Sequence, residues 1–327
     1  MKLKFHYLQD QTIIDVLTHP HLGGNINGPS LIRVPDWVVD PLARYYLYFA
    51  HHEGQQIQLA IADDLAGPWS VYEPGALALE QSLFPVQAPA VCDTHPDILK
   101  AVAAGIDGDY PHIASPDVHI DEKQKKIRMY YHGRTANGTQ KTRLAESADG
   151  ITFRPLKPLL GESYFRVFEH HKTHYAIAWG SVLYRSTDGG YTFEAGPRLT
   201  AENYRHGAIL QFPDSPDINV IWSRAGDCPE SLLVSRLVCT NSTGGNLPWQ
   251  HWRLSEAALL HKPERQWEGS EEPLLPSTYG GIMRPVRQIR DPAVYREDGK
   301  AYLLYSVRGE QGIALAKLGV QMSGTSV

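Results

Sequence analysis

The sequence predicts an all-β chain folded as a single five-bladed β-propeller. Three observations carry that prediction: a phrase of short strands that recurs five times, tight-turn residues that punctuate it, and a spacing that suits one blade per repeat. The first copy runs through Pro29-Ser30-Leu31-Ile32-Arg33-Val34, Tyr45-Tyr46-Leu47-Tyr48-Phe49-Ala50 and Ile57-Gln58-Leu59-Ala60-Ile61-Ala62. The second has Pro116-Asp117-Val118-His119-Ile120, Ile127-Arg128-Met129-Tyr130-Tyr131 and Thr142-Arg143-Leu144-Ala145. The third has Tyr164–Phe168, His174–Ala178 and Ser181–Tyr184, and the fourth His206–Leu210, Ile218–Trp222 and Leu232–Ser235. The fifth has Asp291–Tyr295, Ala301–Tyr305 and Gly312–Ala316. Runs this short, rich in Val, Ile, Tyr and Phe, suit a pleated, buried surface.

Hairpin turns separate the runs, among them Ala136-Asn137-Gly138 and Glu297-Asp298-Gly299. The steps from Ser115 to Tyr164 and on to His206, 49 and 42 residues, match the ~40–50 residues of a propeller blade. Blades are therefore expected at about 27–73, 115–156, 164–196, 205–255 and 290–318, with insertions at 73–112 and 240–288. A short N-terminal segment is expected to close or flank the last blade. A β-sandwich has similar strands but seldom repeats their order so faithfully. Two further phrases, Ser147-Ala148-Asp149-Gly150-Ile151-Thr152-Phe153 and Ser186-Thr187-Asp188-Gly189-Gly190-Tyr191-Thr192-Phe193, share Ser-x-Asp-Gly and a following Thr-Phe. The Asp can accept bonds from turn amides, Gly supplies a positive φ, and the aromatic packs between sheets. The pattern resembles the Asp box of sialidase propellers, whose role there is structural.

Composition narrows the functions. With 31 basic and 36 acidic residues among 327, the chain lacks the electrostatic footprint of a nucleic-acid binder. No apolar run approaches the ~18 residues of a membrane span, and the first residues have no apolar signal region. Three cysteines, Cys92, Cys228 and Cys239, form no CxxC and fit a reducing cytoplasm better than a disulfide framework. No cofactor or metal is expected. Phosphate-loop, dinucleotide, nucleophile-elbow and zinc-helix motifs are absent. Asn137-Gly138-Thr139 and Asn241-Ser242-Thr243 match glycosylation sequons but read as chance in a chain without a secretory signal.

The phrases Asn27-Gly28-Pro29-Ser30-Leu31-Ile32, Ala114-Ser115-Pro116-Asp117-Val118 and Arg290-Asp291-Pro292-Ala293-Val294 resemble strand openings of five-bladed glycosidases, those of glycoside hydrolase families 43, 32, 62, 68 and 117. The resemblance covers roughly residues 25–318 as an architecture. It implies an oligosaccharide substrate, a funnel where the innermost strands begin, and carboxylates at those starts. Asp117 matches the second-blade Asp that in family 43 tunes the acid and orients substrate. Asp291 sits in an Arg-Asp-Pro like that of family 32, though it opens the fifth blade. The first blade departs: where the families place Asp before Pro, this chain has Asn27-Gly28-Pro29. The fourth opens with Arg205-His206 instead of an obvious Glu.

If the propeller forms, Asn27, Ser115 with Asp117, Tyr164 with Arg166, Arg205 with His206, and Arg290 with Asp291 converge on one funnel. Glycoside hydrolysis needs an acid for the leaving oxygen and a base or nucleophile. A wide separation, such as Asp117 and Asp291 on non-adjacent blades would give, favours inversion. His206 is an acid or base candidate, and Glu230, in a loop between fourth-blade strands, and Glu268, within the second insertion, are others. Arg166, Arg205 and Arg290 can clamp an anionic sugar bidentately or pair with the aspartates. Trp267, Tyr279, Trp222 and Trp179 can stack on sugar faces or pack between blades. Asp93-Thr94-His95 and His112, near the first insertion, are weak metal or rim candidates; His119, His51-His52 and His170-His171 show no ligand spacing. Three readings remain open: a glycoside hydrolase, on an acidic or sulfated sugar; a lyase on a uronic-acid glycan; and a non-catalytic carbohydrate- or protein-binding propeller.

Overall fold

Period-two burial on both faces of each sheet decides how the strands stack. In Tyr45–Ala50 every residue is buried. Tyr46 and Tyr48 pack with residues 113–153, whereas Tyr45, Leu47 and Phe49 pack with residues 293–315. A strand of this kind needs a sheet on either side. The computed structural model describes residues 2–52, 54–88, 110–212 and 215–321. It shows five antiparallel sheets arranged as the blades of a propeller. Five apolar cores fill the five seams: one each between blades one and two, two and three, three and four, four and five, and five and one.

Each blade starts at the axis. The innermost strands are Asn27–Arg33, Ile113–Asp121, Arg166–His170, Tyr204–Gln211 and Arg290–Glu297. The chain then steps outward through antiparallel neighbours, as in Tyr45–Ala50, Gln56–Ala62 and Ser70–Ala78 of blade one. The fifth blade is completed from the other end of the chain. Lys2–Tyr7 adds antiparallel to Gly312–Gln321, pairing Leu3 with Val320 and Tyr7 with Ala316, so the N-terminal segment does close the ring. Among the described residues no helix is long and apolar enough to cross a membrane.

The insertions are shorter than expected. Residues 70–78 are the outer strand of blade one, so the first excursion begins after that strand and its short turn Leu79–Gln81. The stretch 240–288 contains the two short outer strands of blade four, Arg253–Leu254 and Ala258–His261, before it crosses to blade five. Cys92 and Asp93-Thr94-His95 lie outside the described residues. Cys228 is exposed and Cys239 buried, both unpaired.

Both Asp boxes cap turns. Asp149 accepts the amides of Ile151 and Thr152 at 2.8 Å and the Ser147 hydroxyl at 2.7 Å. Asp188 does the same for Tyr191, Thr192 and Ser186. Each turn carbonyl is also read by the preceding blade: Tyr48 Oη donates to Gly150 O at 2.7 Å, and Tyr130 Oη to Gly190 O at 3.1 Å. At Gly190, with φ +92°, an added Cβ would lie 2.4 Å from the Tyr130 hydroxyl, so glycine is required there. Desolvation raises the Asp188 pKa, but the bonds from Thr192, Ser186 and Tyr191 outweigh it and bring it to about 2. A carboxyl depressed in the fold stabilises above its unfolded value and loses that contribution as pH falls through the folded one. The stability difference between the wild type and Asp188→Asn is therefore expected to be full above about pH 4 and to shrink toward pH 2. Thermal melts of the two across that range test it; a difference that does not change with pH refutes the capping role.

Candidate active site

Antiparallel pairing puts the start of each innermost strand beside the end of the second strand, so both contribute to one end of the axis. Bulges then re-aim the starts. Register shifts fall between Asn27 and Ser30, Ala114 and Asp117, Tyr204 and Gly207, and Arg290 and Ala293. In three of these, one residue before a proline takes a positive φ: Gly28 at 58°, Ser115 at 47° and Asp291 at 51°. Ser and Asp held there are strained, and bulges of this sort turn side chains toward a site.

At this end lies a cavity of about 360 Å³. Its walls include Asn27, Ser115, Arg205 and His206 from innermost strands. His52, Thr139 and Trp179 come from the turns after second strands, Gln140 from the start of the third strand of blade two, and Tyr279 and Gly280 from the second excursion. Four imidazoles, of His52, His112, His132 and His206, line it, with Tyr110 and Tyr164. Tyr164 stands between His132 and His206, with ring centroids 4.2 and 4.0 Å away. The carboxylate among the described wall residues is Glu162, bound to Lys141 Nζ at 2.6 Å.

His206 is the best-defined reactive group. Its Nδ1 is hydrogen-bonded to Asp291 Oδ1, and Asp291 Oδ2 accepts from Ser306 Oγ at 3.3 Å. Nδ1–H therefore points at the carboxylate and the lone pair sits on Nε2. That Nε2 is buried and meets no hydrogen-bond partner among the described residues. Burial, with the guanidinium groups of Arg205 and Arg166, holds the ring well below the ordinary imidazole pKa, so it is neutral near pH 7. Burial also holds His132 well below that value, helped by His112 and His52.

The other expected site residues are placed as follows. Neither aspartate is in the wall of this cavity: Asp291 is joined to it through His206, and Asp117 lies elsewhere. The bulge sets Asp117 two residues beyond the position equivalent to Asp291, and it lines a second, smaller cavity of about 140 Å³ with Ser30, His119 and Arg166. Its carboxylate meets His119 Nε2 and the Val167 amide, each at 2.7 Å. Burial opposes its charge, but His119, Arg166 and that amide lower its pKa. Arg166 lines that smaller cavity and not the larger one. Its guanidinium donates to carbonyls on three other blades: Pro116 at 2.8 Å, Gly207 at 3.1 Å and Pro29 at 3.5 Å.

Arg205 and Arg290 form a buried, charge-balanced cluster with Glu230 and Glu310. Arg290 reaches Glu230 at 2.9 Å and Glu310 at 3.0 Å, and Arg205 lies 3.8 and 3.6 Å from the same two. Arg205 also donates to the carbonyls of Thr278 and Gly280, tying the second excursion over the cavity. Glu230 is on the loop between Ile218–Arg224 and Leu232–Val238, as expected, but it is fully buried and outside the cavity wall. Glu268 lies outside the cavity walls, bound by His261 at 2.6 Å and by Tyr7 and Tyr305 at 2.9 Å where the N-terminal strand meets blade five. Trp267 packs there against Tyr7. Trp222 is core, its indole bonded to Ser235, whereas Trp179 and Tyr279 face the cavity 5.8 Å apart.

Two residues that the sequence reading passed over belong here. Glu310, in the turn after Lys300–Val307, receives His52 Nδ1 at 2.8 Å and the Asn27 amide at 3.2 Å. Burial works against its charge, but His52, Arg290 and Arg205 hold it well below the usual carboxylate range. The missed signal was positional: both residues follow second strands, which end where innermost strands begin. Among the described residues, the one cluster with metal-ligand spacing is His19, His21 and Glu73, on the surface and outside the cavity walls.

The fold is shared with solved structures of glycosidases. The chain covers 97% of a family 43 β-xylosidase/α-arabinofuranosidase from a compost microbial metagenome, and 97% of itself, at TM-score 0.59 and 11% identity. A family 43_1 enzyme from Xanthomonas citri, complexed with xylotriose, gives TM-score 0.58 and 11% identity over 95% of this chain and 91% of that one. An exo-1,5-α-L-arabinanase from a bovine ruminal metagenomic library gives 0.56 and 12%, over 92% and 95%. Likeness at this identity establishes a propeller of the family 43 type. No protein-family model matches the chain. At 32% identity over 320 residues, spanning 90% of the chain and 83% of its relative, the chain belongs to the same family as "Uncharacterized protein R118" of Acanthamoeba polyphaga mimivirus.

Proposed function

We propose that the protein is a glycoside hydrolase that cleaves an oligosaccharide in the axial cavity, with His206 as its general base. The observation that carries this reading is the His206–Asp291 pair. A neutral imidazole in the wall of a polar cavity keeps a buried, unpartnered Nε2, with a carboxylate fixing its tautomer. His206 would take the proton of a water attacking the anomeric carbon, and Asp291 would stabilise the resulting imidazolium. Trp179 and Tyr279 offer faces on which a sugar can stack. Structural neighbours with this fold, a β-xylosidase/α-arabinofuranosidase and a family 43_1 enzyme, are complexed with xylotriose. An anionic sugar would meet Lys141 and Arg198 in the wall, because Arg166, Arg205 and Arg290 are engaged by protein acceptors.

A second reading, β-elimination on a uronic-acid glycan, is favoured by the same wall. It holds imidazoles and tyrosines in place of a carboxylate pair. There His206 would remove the proton α to the sugar carboxylate, the C–O bond at the β carbon would break, and a C=C bond would form without water. Mass spectrometry of products from neutral, uronic-acid and sulfated oligosaccharides separates the two. Hydrolysis is expected, with fragment masses summing to substrate plus one water. Fragments summing to the substrate, one of them unsaturated, favour the lyase; no turnover on any of them leaves a binding propeller.

A further inference from the structure

Among the described residues, the cavity wall holds three cationic side chains, Lys141, Arg198 and Arg205, and one carboxylate, Glu162. Two of the cations are neutralised. Lys141 Nζ meets Glu162 at 2.6 Å. Arg205 lies 3.8 and 3.6 Å from Glu230 and Glu310, in the charge-balanced cluster with Arg290. Arg198 remains. Its guanidinium forms no ion pair and no hydrogen bond with the described residues. Arginine keeps its charge at any working pH, so this positive charge depends on no protonation state. The chain as a whole is acidic, with 36 Asp and Glu against 31 Lys and Arg. An uncompensated cation in the cavity wall departs from that balance.

The backbone that carries Arg198 is pinned. Arg198 ends Glu194–Arg198, the outer strand of blade three, opposite Val182. Leu199, next in the chain, is buried in the seam between blades three and four. Its amide donates to the Ser181 carbonyl at 3.0 Å, and the Ser181 hydroxyl donates to Thr200 O at 3.2 Å. Gly180 sits between Ser181 and the wall residue Trp179, at φ +67°, and the Arg198 guanidinium lies against it. A Cβ at Gly180 would fall 2.7 Å from Arg198 Nη2. A side chain of an outer strand thus reaches the wall next to the backbone of Trp179, whose ring can stack on a sugar.

We propose that Arg198 is the specificity-determining residue of this cavity, and that the substrate is an oligosaccharide bearing an anionic group, the carboxylate of a uronic acid or a sulfate ester. The proposal rests on the function proposed above only in placing a glycan in this cavity. A guanidinium binds such a group through two parallel N–H donors, and a neutral sugar offers it no charge to meet. The other two cations are already engaged. Lys141 would have to leave Glu162, and Arg205 donates to the carbonyls of Thr278 and Gly280.

The test compares arabinotriose and xylotriose, each in neutral, uronic-acid-substituted and sulfated form. Calorimetry in a His206→Gln parent gives Kd without turnover, and product mass spectrometry on the wild type gives cleavage. Arg198→Gln and Arg198→Lys are added to the parent, with Arg185→Gln as control. Arg185 is a blade-three arginine outside the wall, paired with Glu194 at 2.9 Å. Thermal melts confirm folding. At least one anionic form is expected to bind the parent about 10–100-fold more tightly than its neutral form, and the larger gain names the anion. Arg198→Gln should erase that gain and leave neutral binding within about twofold. Arg198→Lys should keep part of it, and Arg185→Gln all of it. No gain for either anion, or a gain that survives Arg198→Gln, overturns the assignment, while cleavage of the neutral forms keeps the hydrolase reading. A gain lost in Arg198→Gln without cleavage of any member supports the assignment and overturns the hydrolase reading alone. Neither binding nor cleavage of any member overturns both.

Discussion

Asp291→Asn is expected to abolish most turnover while leaving the propeller folded. Asparagine tolerates the left-handed backbone that Asp291 adopts at φ 51°. It can still accept from Ser306, so the change is close to isosteric. Its amide would then donate to His206 Nδ1, forcing the ring proton onto Nε2. Nε2 would become a donor and could no longer act as a base. His206→Gln removes the base outright. Both are expected to lower kcat by about 10²–10⁴-fold, the usual contribution of one positioned proton-transfer group. The change should fall on kcat more than on KM, since the lost interaction is made in the transition state. Steady-state kinetics of the two variants, with thermal melts alongside, are decisive. If either retains wild-type kcat, His206 is not the base.

Arg290→Met is expected to be the most destabilising single substitution at the cavity end, at about 3–5 kcal/mol. Arg290 is 1% exposed and lies between two fully buried glutamates. Its guanidinium also donates to the side-chain oxygen of Gln288. Its removal leaves Glu230 and Glu310 with one arginine, Arg205, at longer distances. An uncompensated buried carboxylate is the costly outcome, whereas removing both members of an ion pair is cheaper. The double variant Arg290→Met/Glu230→Gln should therefore recover part of the loss. Urea denaturation midpoints of wild type, single and double variants give the comparison. A single variant within about 1 kcal/mol of wild type, or a double no more stable than the single, would show that the cluster is not a tightly coupled charge network.

The strands were legible because a sheet buried on both faces writes itself as an unbroken apolar run. Tyr45–Ala50 and Leu303–Tyr305 need no partner to be recognised. The Asp boxes were equally local, since Ser147, Asp149 and Gly150 bond one another within four residues. Part of the cavity was legible too: Asn27, Ser115, Arg205 and His206 line it, and Asp291 holds His206. Asp117 was drawn to the same place by its nearness to Ser115. Counted from the proline that each strand carries, Asp117 matches Ala293 and Ser115 matches Asp291, and Asp117 lines the smaller cavity.

The sequence by itself determined the repeat, and with it the five blades, the axial direction of each innermost strand and the polar character of their starts. These follow from local periodicity and turn chemistry, which each repeat carries alone. Tertiary structure alone decided which charges meet. Glu310 and His52 are 258 positions apart, and Arg205 and Glu310 belong to different blades. They meet because ring closure packs the strands of blade five against Asn27–Arg33 of blade one, and blade four against blade five. Ring closure is a property of the whole chain, so a contact that depends on it leaves no mark in any one segment.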